Sequence, residues 1–303
     1  MVQCRLCRHP RSALLLDSLR TGQTDTFALR RCRNCGFVTL DPLPSGEMLR
    51  RYYDDDYWLP TDPTTDGIMA RFLMLRMAPV LREIKRLVPA GGRILDWGAG
   101  DGRLVHWLNA DGFDAVGIDP YSRSADNDAV IAAAIENAPF PGGSFDAVLA
   151  FHLIEHLPDP VEAVRAAVRL LKPGGVLFAE VPNLESLEFR IFRSRWQPLE
   201  IPYHLNHFTP DTMIRLMTDA GADRIVHMSF FSHRVSPSTP VLSMAPGLAP
   251  KEIRRRHRRY PLPLSFGYLI CQLVAYPMAA AAAVFRKGAV LRVAAKTRSG
   301  PSR

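Results

Sequence analysis

Ile94-Leu95-Asp96-Trp97-Gly98-Ala99-Gly100-Asp101-Gly102 decides how the rest of the chain is read. A short apolar run carries an acid near its end and leads into three glycines at alternate positions, and the amphipathic stretch Leu104 to Leu108 follows. This is the pattern of a first strand, a turn whose backbone lets a ligand approach closely, and a helix. The next apolar run, Ala115-Val116-Gly117-Ile118, ends on Asp119, an acid suited to ribose hydroxyls. Together they imply a bound nucleoside. A dinucleotide fingerprint asks for glycine three positions after Gly100, where Arg103 stands, and Asp96 would repel a pyrophosphate from the loop. A cationic nucleoside without phosphates suits this acidic loop, and S-adenosylmethionine (SAM), with its sulfonium and ammonium, is one.

The alternation continues on both sides. Val130 to Ile135 and Phe145 to Phe151 read as strands. Val161, Val164, Val168 and Leu171 share a helical face that Lys172-Pro173-Gly174-Gly175 ends, and Val176 to Val181 is a further strand. Residues 209–220 read as a helix with Thr209 as its cap and Pro210 in its first position, and Arg224 to Phe230 reads as extended. Upstream, Phe72, Leu75, Val80, Ile84 and Leu87 stand at helical spacing within Ile68 to Val88, which Pro89 and Gly91-Gly92 close. Strands alternating with helices mean a parallel sheet covered by helices. No internal repeat is visible.

The N-terminal stretch is different. Cys4-x-x-Cys7 and Cys32-x-x-Cys35-Gly36 each put two thiolates on one tight turn, and two such turns supply the four soft ligands of a structural zinc ribbon. With all four positions filled by protein, this zinc folds the lobe and does no chemistry. The first twenty residues hold Arg5, Arg8 and Arg11 and only the short run Leu14-Leu15-Leu16, too little for a signal peptide, so a cytoplasmic protein with reduced thiols is expected. Asp41-Pro42-Leu43-Pro44-Ser45-Gly46 marks a boundary, and a polar, aromatic stretch from Tyr52 to Trp58 follows it.

Asp96 to Gly102, Gly117-Ile118-Asp119, Pro139 to Val148, Glu155 to Pro160 and Leu171 to Gly175 together resemble a class I SAM-dependent methyltransferase, of the group that carries an N-terminal zinc-binding lobe. The resemblance runs from about residue 91 to 230, and Val290 to Lys296 resembles the last strand of that fold. It implies an α/β protein with a Rossmann-like seven-stranded methyltransferase sheet, an N-terminal zinc ribbon and a C-terminal hydrophobic helical insertion before the last strand. The implied domains are a zinc ribbon (1–45), a helical linker (46–90), the SAM-dependent domain (91–235), a basic and hydrophobic insertion (236–286) and the last strand with its tail (287–303). The implied cofactor residues are Asp96, Gly98, Ala99, Gly100 and Gly102 in the loop, Asp119 for the ribose, Pro120 and Glu136 near the base, and Phe151; the usual adenine-binding aspartate position falls on Ala134, with Glu136 close by.

His152-Leu153-Ile154-Glu155-His156 also fits the H-x-x-E-H pattern of a zinc protease, but it directly follows a strand and precedes Pro158. In the methyltransferase reading, His152 or His156 orients the acceptor or takes its proton, or is simply a loop histidine bonded to backbone. Trp196 to Phe208, with His204 and His207, stands where that fold presents its acceptor loop, or serves only as the entry to the next helix.

Charge bears on the partners. Residues 251–303 hold twelve Lys or Arg against Glu252 alone, so +11 of the net +8 sits there and the other 250 residues sum to −3. A nucleic-acid enzyme spreads basic charge over its binding face, so nucleic acid is not the expected partner. After the Pro- and Ser-rich linker Ser236 to Pro240 comes Arg254-Arg255-Arg256-His257-Arg258-Arg259, and then Leu264 to Phe285 without a charge. Residues 264–285 therefore read as a helical insertion for a membrane surface or a partner, as a cover over the cleft, or as a membrane span, and with the adjoining arginines residues 251–286 suit an anionic membrane surface. The expected activity is methyl transfer to a small or lipid-linked acceptor such as a sugar or glycan precursor; the rivals are an RNA methyltransferase and a SAM-binding docking protein without activity.

Overall fold

A computed structural model of the chain describes residues 3–20, 25–52, 68–122, 129–249 and 262–299. Most of the aromatic stretch Tyr52 to Trp58 and the arginine run 254–259 lie outside the described residues. In chain order the strands are β1 (Ser12–Arg20), β2 (Thr26–Cys32), β3 (Val38–Asp41), β4 (Arg93–Trp97), β5 (Asp114–Ile118), β6 (Val130–Ile131), β7 (Phe145–Phe151), β8 (Leu171–Pro182), β9 (Asn206–His207), β10 (Ala222–Ser229) and β11 (Val290–Thr297). The helices are α1 (Gly46–Tyr52), α2 (Ile68–Leu87), α3 (Arg103–Ala110), α4 (Pro160–Leu170), α5 (Leu187–Phe192), α6 (Pro210–Asp219), α7 (Thr239–Met244) and α8 (Leu262–Val284). They form two compact units.

One unit comprises Ala78–Val181, Asp211–Met228 and Arg292–Arg303. Its frame is the seven-stranded sheet of order β10-β11-β8-β7-β4-β5-β6, in which β6, β5, β4, β7 and β8 run parallel. Ile94, Leu95, Ala147 to Ala150 and Leu177 to Ala179 are fully buried. Parallel strands covered on both faces need such unbroken apolar runs. α4 starts where Asp159 accepts a bond from the Glu162 N–H and Pro160 fixes the first turn, and it buries Val161, Val164 and Ala167. The expected strand over 130–135 is shorter: only Val130 and Ile131 pair, with Gly117 and Ile118 at the sheet edge, before a 3₁₀ turn at Ile135–Asn137. Lys172 to Gly175 do follow the helix end, and they are absorbed into β8 as a bulge between its pairs with Phe145 and Ala147.

The other unit comprises Met1–Met77, Pro182–Pro210 and Ser229–Leu291. Its four-stranded sheet has the order β1-β2-β3-β9, so the ribbon takes its last strand from residues 206–207, joined through Val38↔His207 and Thr39↔Asn206. Phe27, Leu29 and Val38 of the ribbon pack in one core with Phe189, Trp196 and Leu205. Ser236 to Pro240 is not a linker. Ser236, Thr239 and Ser243 are buried, Thr239 Oγ1 donates to Glu188 Oε2 (2.5 Å), and Ser243 Oγ donates to the Thr239 carbonyl (2.7 Å). Hydroxyls that satisfy one another inside the fold look, in composition, like a solvated loop.

Candidate active site

The chain leaves β4 for β5 and β6 and then crosses back to β7 on the far side of β4. This reversal of strand order is where open α/β sheets take ligands, outside the carboxyl ends of the strands. Gly98–Gly102 follows β4 there, and His152–His156 follows β7. Gly98 (φ +83°) and Ala99 both donate their N–H to the Ile118 carbonyl (2.8 and 3.1 Å). A Cβ at Gly98 would lie 2.9 Å from Leu153 Cδ1, and the left-handed backbone there strains any other residue. Gly100 (φ +53°) donates to Asp119 Oδ2 at 3.0 Å, and the Tyr121 N–H donates to Asp119 Oδ1 at 2.9 Å. Those bonds fix the Asp119 carboxylate and leave roughly half of its acceptor capacity for hydroxyl donors.

Asp96 is buried on β4, and Gly102 (φ +72°) caps α3 without a side chain, which keeps that helix start open to a ligand's backbone contacts. Pro120 and Glu136 are exposed, and Phe151 is half-buried with the Arg292 guanidinium 6.0 Å from its ring centroid.

His152 is held from several sides. It takes the left-handed region (φ +52°), its N–H donates to the Glu180 carbonyl (2.8 Å), Nδ1 meets Glu155 Oε1 (3.3 Å) and Nε2 meets Glu180 Oε1 (3.0 Å). Burial alone would lower its pKa, but the bonds to Glu155 and Glu180 and their charges outweigh this and push it up to about 9. At neutral pH His152 is thus an imidazolium donating from both nitrogens, and no proton acceptor. Glu180 in turn accepts from Arg292 Nε (2.8 Å), Arg292 Nη1 reaches Glu83 Oε2 (2.8 Å), and His227 pairs with Glu83. Residues 154–156 form a single 3₁₀ turn, so His152 and His156 do not share the helix face that a zinc protease needs.

The folded-state pKa of His152 lies above its unfolded value near 6.5. Its contribution, about 3 kcal/mol for a shift of this size, is therefore fully present below pH 6.5 and lost as pH rises toward 9. Urea unfolding of the wild type and of His152→Gln is expected to show a stability gap that closes across this window; a gap independent of pH would refute the charged state.

In the other unit, Cys4 Sγ lies 3.6 Å from Cys35 Sγ, Cys7 Sγ lies 3.6 Å from Cys32 Sγ, and all four sulfurs fall within 4.8 Å of one another. Tetrahedral Zn(II) with Zn–S near 2.3 Å sets S···S at about 3.8 Å. The thiols therefore fit that ion, and their pairing is far from disulfide length. Gly36 (φ +76°) closes the second knuckle by donating to the Cys32 carbonyl (3.1 Å). His204 and His207 stand side by side, ring centroids 6.4 Å apart. His204 Nδ1 bonds the Pro198 carbonyl (2.8 Å) and Nε2 meets Glu200 Oε2 (3.1 Å). His207 is buried with no partner for Nε2, and burial, helped by His204, drives its pKa down to about 3. It is a neutral imidazole at working pH.

Glu155, Glu180 and Arg292 were not among the expected site residues. A signal was present: an acid in the apolar run Val176 to Val181 and an arginine in Val290 to Ala295 are charges inside strands buried on both faces. Such charges are expected to be paired.

A family model described as "Methyltransferase domain" matches residues 65–227. The "Ubiquinone biosynthesis O-methyltransferase" of Xanthomonas axonopodis pv. citri is 34% identical over 154 residues, 45% of this chain and 64% of that protein. The protein of the same name from Methylococcus capsulatus is 27% identical over 196 residues, 59% of this chain and 78% of its own length. Among the Xanthomonas relatives the match spans only about half to two-thirds of their length. A solved S-adenosylmethionine-dependent methyltransferase from Mesorhizobium loti aligns with a TM-score of 0.45 at 18% identity, over 73% of this chain and 97% of that one.

Proposed function

Because the chain belongs to the methyltransferase domain family, we propose that it moves the methyl group of SAM onto a hydroxyl oxygen of a small acceptor. The observation that carries this reading is the loop at the sheet reversal, where Asp96 and the glycine backbone offer negative charge and close approach and Asp119 offers hydroxyl acceptors. SAM supplies an electrophilic methyl whose S–C bond breaks as the O–C bond forms, leaving a neutral thioether and a proton from the acceptor. Asp96, Gly98, Ala99, Gly100 and Gly102 hold the amino-acid end, Asp119 holds the ribose, and Pro120, Glu136 and Phe151 border the base. Most of the rate comes from alignment, worth up to about 7–11 kcal/mol, and a general base adds roughly 10²- to 10⁴-fold.

His152 serves this site as a fixed cation that orders Glu155 and Glu180. His156, His204 and His207 are the candidates to orient the acceptor; His207, whose burial holds its pKa down to about 3, serves as a neutral hydrogen-bonding group and not as the base. The relatives' name favours oxygen as the methylated atom; the narrower acceptor we favour is a hydroxylated sugar or glycan precursor, free or lipid-linked. The four cysteines hold a structural zinc, supported by their sulfur spacing. The test is incubation with methyl-labelled SAM and fractionated cell extract, beside an Asp96→Ala control. Label is expected in small organic or glycan fractions. Label in RNA would overturn the acceptor class, and no label with SAM binding intact would overturn the activity.

A further inference from the structure

Helix α8 is apolar on both faces, and its stretch Gly267–Val284 has a mean hydropathy of 1.5 with only 22% buried. By length and composition it could cross a membrane, but its two sides differ. Gln272, Ala275, Ala279 and Ala282 are buried at helical spacing, Gln272 Oε1 accepts from Arg76 Nη1 (2.9 Å), and the Tyr276 hydroxyl bonds His233 Nδ1 (2.7 Å). The opposite side shows Ile270, Leu273, Val274, Met278, Val284 and Phe285 at 45–79% exposure. A spanning helix would place lipid all round it, against those inward hydrogen bonds, and the chain enters β11 at Val290, directly after the helix.

The surroundings are cationic. Arg286 is exposed at the helix end, and the Leu187 N–H donates to the Lys287 carbonyl (2.8 Å), which joins the start of α5 to that end. There Leu187 and Ile191 are exposed, as are Arg190, Arg193 and Arg195, while Lys287 is paired with Glu185 (3.4 Å). The sequence places five more arginines between 254 and 259, just before the helix.

We propose that the exposed face of α8, together with Leu187 and Ile191, docks flat on an anionic lipid surface. The helix is roughly 34 Å long. Lying in the interface plane, it sinks its apolar side chains about 5–10 Å into the headgroup and acyl boundary while the arginines meet lipid phosphates. A soluble apolar partner would explain the apolar side chains and leave the exposed Arg190, Arg193, Arg195 and Arg286 without a role. The occupant is thus an anionic bilayer.

Flotation of the full chain tests this with phosphatidylglycerol/phosphatidylcholine vesicles and with phosphatidylcholine vesicles alone. The wild type is expected to float with the anionic vesicles. The double variant Leu273→Glu, Val274→Glu, at two exposed positions, is expected to partition roughly tenfold less or weaker, with its SAM affinity and melting temperature unchanged. Raising salt to about 0.5 M is expected to reduce flotation of the wild type. Equal flotation of both proteins, or none of either, overturns the proposal. So does a vesicle-free dimer, seen by sedimentation, that the same variant splits, since the face would then belong to a second copy.

Discussion

Asp96→Ala is expected to cost the protein its SAM affinity by roughly 30- to 5,000-fold, the range that follows from about 2–5 kcal/mol for deleting one member of a buried, hydrogen-bonded charge pair. The carboxylate is buried near the end of β4, where the neighbouring Gly98 and Gly100 present backbone rather than side chains. Water cannot replace it there as it would at an exposed acid, and the ammonium of SAM would keep the cost of leaving water without its counter-charge. Calorimetric titration with SAM measures this directly. Asp96→Asn separates charge from shape: it keeps the volume and most hydrogen bonds, so a loss nearly as large as that of the alanine variant assigns the effect to charge. Wild-type affinity in both variants would remove Asp96 from the cofactor site, and the melting temperature shows whether either has unfolded.

Much of this unit can be read from the chain because its signals are local. Three alternate glycines, an acid at a strand end and unbroken apolar runs all act within a few residues, and the strands β4, β5, β7 and β8 appear where those runs stand. What cannot be read is what depends on distant pairing. β9 is two residues long and has no periodicity of its own; it is a strand only because Val38 and Thr39 of the ribbon lie beside it. Glu180 and Arg292 are 112 residues apart, so neither announces the other, although each is conspicuous within its apolar strand. Ser236 and Thr239, expected in a linker, differ in the opposite way: hydroxyls are cheap in solvent and equally at home inside once bonded to neighbouring groups such as Glu188. The histidines divide along the same line. Motif spacing picks out His152, but only the two carboxylates around it reveal that it arrives charged and cannot act as a base at neutral pH.

Cys32→Ser is expected to unfold the ribbon locally, and with it the strand that carries His207. Zinc bound by four thiolates contributes about 10–16 kcal/mol to folding a small metal lobe, as much as the whole stability of an ordinary domain. Without it, β1 to β3 keep a core that includes Phe27, Leu29 and Val38, but the chain turns at Cys4–Cys7 and Cys32–Cys35 lose the ion that joins them. Hydrogen exchange should then show lost protection over 12–41 and also at 206–207, because β9 has its sheet partners only in β3. Protection in Ile94–Trp97 and Phe145–Phe151 belongs to the other sheet and should persist. Metal analysis should fall from about one zinc per wild-type chain to near none. A wild type purified in the presence of zinc yet free of it would refute the metal site, and a zinc-free variant with unchanged exchange at 206–207 would mean that this strand is held by the hydrophobic core alone. In the expected case, a metal bound at one end of the chain governs whether a histidine some 200 residues later is held neutral and in place.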